Sequence, residues 1–137
     1  MTDAFALDPT LAGDTVLVAD LPLCRFLLMD EPGWPWGILV PRRPGAVEIV
    51  DLPPADRTAL MDEIALVSAL LRRLHQPKKL NVAALGNQVS QLHVHVIVRH
   101  ATDAAWPNPI WGCKARERYA PADLAARAAQ WRAALAP

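Results

Sequence analysis

The stretch Gln91-Leu92-His93-Val94-His95-Val96-Ile97-Val98-Arg99 holds two of the chain's four histidines. Polar and apolar residues alternate along it, the pattern of a strand with one face buried. On a strand, Gln91, His93 and His95 share a face, with about 7 Å between alternate positions, and Leu92, Val94 and Val96 take the core face. Three chemistries fit this pattern. Imidazole, with an unperturbed pKa near 6.5, keeps a large neutral fraction at neutral pH, so either histidine could be a nucleophile or an acid–base group. A His-x-His pair could hold zinc or iron, but a metal needs a third and usually a fourth ligand. For that role His75 ends an expected helix, His100 lies at the far end of the strand, and no spacing fixes the distance to Asp30. Finally, two partly buried histidines could simply satisfy backbone groups.

The elements that must position this face can be read on either side of it. Residues 1–14 form a lead-in with a short helix or turn, closed by Gly13-Asp14. Thr15–Ala19 and Leu23–Met29 are apolar runs joined by Asp20-Leu21-Pro22, which predicts a hairpin. Trp36–Val40 reads as a third strand stopped by Pro41, and Val47–Val50 as a short extension or edge strand. Pro53-Pro54 opens a helix, because the N–H that proline lacks has no partner in a first turn. Leu60, Ile64, Val67, Leu71 and Leu74 mark its buried stripe, and it ends near His75, ahead of Pro77. Leu80–Leu85 predicts a fourth strand, Gly86-Asn87 a turn, and Ser90–Arg99 the fifth strand. Pro121 opens a last helix with Leu124, Ala128, Trp131 and Leu135 on its apolar face. The expectation is a single α+β domain over 1–137: a core of about 15–100 with a largely antiparallel five-stranded sheet and one long helix, then a loop and helix over 101–137.

Composition narrows the function classes. Fourteen basic and fourteen acidic side chains cancel, so no global field points to nucleic acid or an anionic membrane. The basic pairs Arg42–Arg43, Lys78–Lys79 and Arg116–Arg118 read as solvated surface. Cys24 lies in an apolar run and Cys113 follows Trp111-Gly112; two such cysteines make neither a disulfide framework nor a zinc motif. The N-terminus carries Asp3 and Asp8 without a basic start and apolar stretch, so it does not read as a secretory signal. No apolar run is long enough to span a bilayer. The expected location is the cytoplasm, with no membrane or nucleic-acid partner. Five tryptophans are many for 137 residues. Trp34-Pro35-Trp36 precedes a strand, and Trp106 and Trp111 bracket a proline-rich loop that either packs on the core or stacks on a ligand.

The histidine segment resembles the signature of the histidine-triad superfamily, in which histidine and apolar residues alternate three times. Gln91 stands at the first histidine, His93 at the second and His95 at the third. Leu39-Val40-Pro41-Arg42 resembles the family's strand ending in proline and basic residues. The long helix, Leu80-Asn81, and the glycine-bearing loop follow in the same order. Asn81-Val82-Ala83-Ala84-Leu85-Gly86-Asn87 ahead of Gln-x-His-x-His, with Trp-Pro-Asn-Pro-Ile-Trp behind, is similar to a bacterial branch of the superfamily.

The resemblance implies a histidine-triad fold, usually a homodimer, acting at the α-phosphate of a nucleotide without a cofactor or resident metal. It implies His93 as the nucleophile that forms a nucleotidyl-histidine, its other ring nitrogen donating to a backbone carbonyl. It places His95 against phosphate oxygens, Asn87 and Gln88 in the phosphate loop, Asn81 near the ribose or α-phosphate, and Asp30 at the ribose hydroxyls. Phe26 and Leu28 are candidates for the base pocket. Two departures shape the expectation. Gln91, expected with His93 and His95 among the catalytic residues as a group that orients a neighbour, is neutral at every relevant pH but both donates and accepts. Trp36 stands about where some family phosphoramidate hydrolases carry a further histidine, an acid for the leaving group, which favours diadenosine polyphosphates or similar dinucleotides. A nucleotide-binding homodimer with little catalysis and a His-x-His metal-dependent hydrolase are the alternatives.

Overall fold

The computed structural model describes residues 4–113 and 117–136; Asp3 and Arg116 lie outside them. The elements are α1 (Pro9–Asp14), β1 (Thr15–Asp20), β2 (Cys24–Met29), β3 (Trp36–Pro41), a 3-10 turn (Ile49–Asp51), α2 (Pro54–His75), β4 (Lys79–Ala83), β5 (Val94–Arg99) and α3 (Pro121–Leu135). The five strands form one sheet in the order β1-β2-β3-β5-β4, with every neighbouring pair antiparallel. This is the α+β architecture with an antiparallel five-stranded sheet read from the sequence.

The punctuation residues act where chain chemistry predicts. The β1–β2 turn closes with the Leu21 N–H on the Cys24 carbonyl at 2.8 Å. Pro54 occupies the first turn of α2, and the helix stops at Gln76, which takes a left-handed φ of 47° just before Pro77. Leu60, Val67 and Leu71 of the expected stripe are buried, as are Leu70 and Glu63. Glu63 is polar yet not stranded. Its two oxygens accept the backbone N–H groups of Leu23 and Cys24, each at 2.8 Å, where the sheet offers no partner.

Apart from one-residue shifts at strand ends, three segments differ from the sequence reading. Val47–Val50 is not a strand: the Asp51 carboxylate accepts the N–H groups of Val47 and Glu48 at 3.0 and 2.8 Å and winds the segment into a turn. β5 begins at Val94 rather than Ser90, because the Leu92 N–H bonds the Ala46 carbonyl outside the sheet ladder. β4 ends at Ala83, two residues short of Leu85.

The sheet's two faces are built differently. Leu39, Val94, Val96 and Val98 pack with Phe26 and Leu28 against Val67, Leu70 and Leu71 of α2 and against Ala128 and Trp131 of α3. The Phe26 and Trp131 rings stack at 5.7 Å. Gly37 leaves room for them, since a Cβ there would stand 3.0 Å from the Phe26 ring. On the opposite face Leu27, Trp36, Ile38, Val40 and Ile97 pack with Leu11, Trp34 and Ile110 from flanking segments.

Candidate active site

His95 lies on β5, paired with Ile38 of β3 on one side and Ala83 of β4 on the other. His93 sits just ahead of the strand, outside its ladder, yet the two rings meet at 4.9 Å with an interplanar angle of 70°. Both side chains are buried. The His93 Nδ1 lies 2.7 Å from the Gln91 backbone carbonyl. A carbonyl oxygen only accepts, so Nδ1 carries the proton and Nε2 carries the lone pair. His95 is held in the opposite sense: the Trp36 indole N–H donates to its Nδ1 at 3.0 Å. The proton of the neutral ring is therefore on Nε2. Burial, reinforced by the neighbouring His93, pushes the His95 pKa down to about 4, so the ring is neutral at pH 7. A lone-pair nitrogen on one ring thus stands beside a neutral N–H donor on the next.

A cleft of about 360 Å³ opens on these rings. Thr10, Leu11 and Asp14 of α1 border it, with Met29, Trp36 and Ile38 from the sheet, the 85–89 loop, and Trp111. Trp111 stands edge-on to both Trp36 and His95, at 6.5 and 5.3 Å. Gly86 turns the loop with a φ of +75°, a conformation that side chains other than glycine's disfavour. Asn87 and Gln88 follow it at the cleft rim, both exposed.

The structure brings together His93, His95, Asn87 and Gln88. It places three other candidates elsewhere. The Asn81 side-chain Oδ1 accepts from Arg99 at 2.8 Å, inside a cluster where Arg99 also meets Asp103 and the Asn108 backbone carbonyl. Asp30 receives the Arg118 guanidinium and the Tyr119 N–H, each at 2.9 Å. The Gln91 side chain turns to the N-terminal segment. Phe26 and Leu28 face the helices, so the apolar lining comes instead from Met29 and Ile38; one residue along a strand switches the face. Arg42 and Arg43 are spent on the Leu21 carbonyl and Asp56. Asp14, expected only to close the lead-in, borders the cleft with Arg118 at 3.5 Å from its carboxylate.

Among the described residues, no three His, Cys, Asp or Glu side chains converge as a metal ion would require, and no helix is long and apolar enough to cross a membrane.

Comparison with known proteins places this geometry. The HIT domain model matches residues 11–102. A histidine triad protein from Bradyrhizobium japonicum is 42% identical, with 97% of this chain and 99% of that one covered and a TM-score of 0.93. One from Marinobacter aquaeolei VT8 is 41% identical, covering 97% of both chains at a TM-score of 0.93. A histidine triad protein from Sinorhizobium meliloti 1021 is 41% identical, covering 93% and 94% at 0.90. No curated protein matches the chain.

Proposed function

The chain belongs to the HIT domain family, whose members act on nucleotides, and from that premise we propose that it is a nucleotide hydrolase or nucleotidyl transferase working at the α-phosphorus through His93. The observation that carries this reading is the 2.7 Å bond from His93 Nδ1 to the Gln91 carbonyl, which leaves Nε2 as the lone-pair nitrogen of a ring bordering the cleft.

In the first step Nε2 attacks the α-phosphorus. A P–N bond forms, the P–O bond to the leaving group breaks, and the leaving group departs with its electron pair. Water then attacks the same phosphorus. The P–N bond breaks, its electron pair returns to Nε2, and the nucleoside monophosphate leaves with the water oxygen, one water proton staying on the phosphate and the other passing to solvent. His95, held neutral with its proton on Nε2, donates to a phosphoryl oxygen as charge builds there. Asn87 and Gln88 supply further polar groups from the loop. The apolar part of the cleft, with Leu11, Met29 and Ile38, suits a base. The Trp36 N–H is committed to His95 and indole is no acid, so a leaving group that departs unprotonated is favoured. A phosphate chain, as in a diadenosine polyphosphate, meets that condition.

The reading includes a cytoplasmic homodimer. β4 is an edge of the sheet and exposes Val82, while α2 exposes Met61 and Leu66. An unpaired edge beside apolar side chains suits a second copy. Sedimentation of the wild type against Val82→Lys checks it: a dimer that becomes a monomer supports the edge contact, and a monomeric wild type removes it.

The test of function is turnover of diadenosine polyphosphates and a nucleoside phosphoramidate by wild type and His93→Ala, with and without chelator. Chelator-resistant release of nucleoside monophosphate, lost by at least about 10³-fold in the variant, is expected. Full chelator sensitivity would instead support metal-dependent hydrolysis. Nucleotide binding without turnover would leave a binding protein.

A further inference from the structure

Gln91 occupies the position where the family signature has its first histidine, but it borders an adjoining pocket that shares His93 and Gly86 rather than the cleft that holds both histidines. Its side-chain Oε1 accepts the Asp8 N–H at 2.9 Å, and its Nε2 donates to the Ala6 carbonyl at 2.8 Å. These partners are the carbonyl of one residue and the N–H of the residue two further on, the pair that a parallel neighbouring strand would satisfy. A carboxamide meets both because its acceptor and donor sit side by side on one carbon. Imidazole cannot: its two nitrogens point away from each other, so a ring that bonds one partner aims its second nitrogen elsewhere.

The clasp is tied at both ends to the site. Gln91's own backbone carbonyl accepts the His93 Nδ1 proton. The gripped segment runs directly into α1, where the Asp8 carboxylate accepts the Thr10 N–H at 2.8 Å. Thr10, Leu11 and Asp14 then form one side of the cleft, and Leu11 packs in the same cluster as Trp34, Trp36 and Ile38. One glutamine therefore joins the backbone that orients His93 to the segment that delivers the apolar wall.

We propose that Gln91 is a positioning residue that fixes the α1 wall of the cleft and so sets affinity for the nucleoside end of the substrate, taking no part in bond making or breaking. The affinity claim rests on the nucleotide reading above; the clasp itself does not.

The experiment uses the full chain with Gln91→Ala, Gln91→Glu and Gln91→His. Hydrogen exchange is followed at the Asp8 amide and through residues 9–14. In parallel, kcat and KM are measured on a nucleoside 5′-phosphate aryl ester and on the matching ribose 5′-phosphate ester without the base, with AMP affinity as the turnover-independent readout. In Gln91→Ala, exchange at Asp8 speeds by about ten-fold and KM for the nucleotide ester and Kd for AMP rise by a similar factor. Meanwhile kcat stays within about two-fold and the base-free ester is unaffected. Gln91→Glu keeps the acceptor for Asp8 and loses the donor to Ala6, so it falls between Gln91→Ala and wild type; Gln91→His does not restore wild-type exchange. Unchanged exchange in Gln91→Ala overturns the clasp. Faster exchange with unchanged KM and Kd overturns its role in affinity. A fall in kcat on both esters overturns the proposal in favour of direct participation in catalysis. A wild type that neither binds AMP nor turns over removes the nucleotide reading and the affinity claim with it, while exchange still decides the clasp.

Discussion

Two tryptophan–histidine pairs sit on opposite faces of the same sheet. On the helix-covered face Trp131 donates its indole N–H to His75 Nε2 at 3.1 Å. On the open face Trp36 donates to His95 Nδ1 at 3.0 Å. Both rings are pushed down to a pKa of about 4, in each case first by burial; Arg127 and His100 add to it at His75, and His93 at His95. The hydrogen bond and the depressed basicity are thus the same in both pairs, and neither marks a site. The surroundings differ. His75 closes the last turn of α2 beside a fully buried indole, whereas His95 borders a cleft and touches a second imidazole. A neutral histidine becomes a candidate catalytic group only where its free ring nitrogen belongs to a cleft that can hold a ligand; exposure alone does not suffice, since His75 is the less buried of the two rings.

The largest expected contrast lies between the indoles. Trp131→Ala removes a ring packed on Phe26, Ala128 and α2, and should lower unfolding free energy by about 3–5 kcal/mol in denaturant titrations, with turnover per folded molecule unchanged. Next come the rings: His95→Gln is expected to reduce kcat/KM by about 10²–10³-fold, whereas His75→Gln leaves it near wild type. Equal effects of the two substitutions would erase the distinction. The third contrast concerns pH. Each unfolded imidazole takes a proton near pH 6.5, but its native ring resists until about 4. The unfolded state therefore binds more protons in this window. The stability contribution is whole above about pH 6.5, falls as pH drops toward 4, and is flat below, amounting to at most about 3 kcal/mol per ring. Urea midpoints at pH 7 and 4.5 should show the loss, and His75→Phe or His95→Phe should each flatten part of it. The smallest effect is the most diagnostic. Trp36→Phe and Trp131→Phe each remove one indole N–H and should cost about 1–2 kcal/mol of stability. Only Trp36→Phe should raise the His95 pKa, mix its tautomers in ¹⁵N spectra, and move the acid limb of kcat/KM to higher pH.

Much of this was legible in the chain, for identifiable reasons. The two-residue alternation of β5 assigns Val94, Val96 and Val98 to the core and His95 to the other face, and the structure agrees. Pro54 and Pro77 bracket α2 because proline acts through its own ring. The misplacements share one cause: the deciding partner is distant or is a side chain acting on backbone. Asp30 is held by Arg118, 88 residues away. The segment at Val47 is turned by a carboxylate. β2 is apolar on both faces, so alternation could not tell whether Phe26 and Leu28 or Leu27 and Met29 look toward the cleft. Asp14 reads locally as the end of a turn, and its place at the cleft depends on where Gln91 anchors residues 6–8.

Arg99 carries a consequence for how the cleft takes up a ligand. Its buried guanidinium binds the Asp103 carboxylate at 2.8 Å, the Asn81 side chain at 2.8 Å and the Asn108 carbonyl at 2.7 Å, and it faces the Trp106 ring at 5.5 Å. Against the burial that alone would raise its pKa, bonds from Arg99 and from the His100 and Ala105 amides hold the Asp103 carboxyl well below the usual carboxylate range. The part of the loop leading to Trp111, residues 103–108, is thereby held before any ligand arrives. Residues 103–108 therefore have little conformational freedom left to surrender, so a ligand bound in the cleft would meet a loop base whose ordering cost was met during folding. In calorimetry this loop should add little to the entropic penalty of binding, and loosening it at Arg99 should weaken a ligand through entropy while its contacts stay the same.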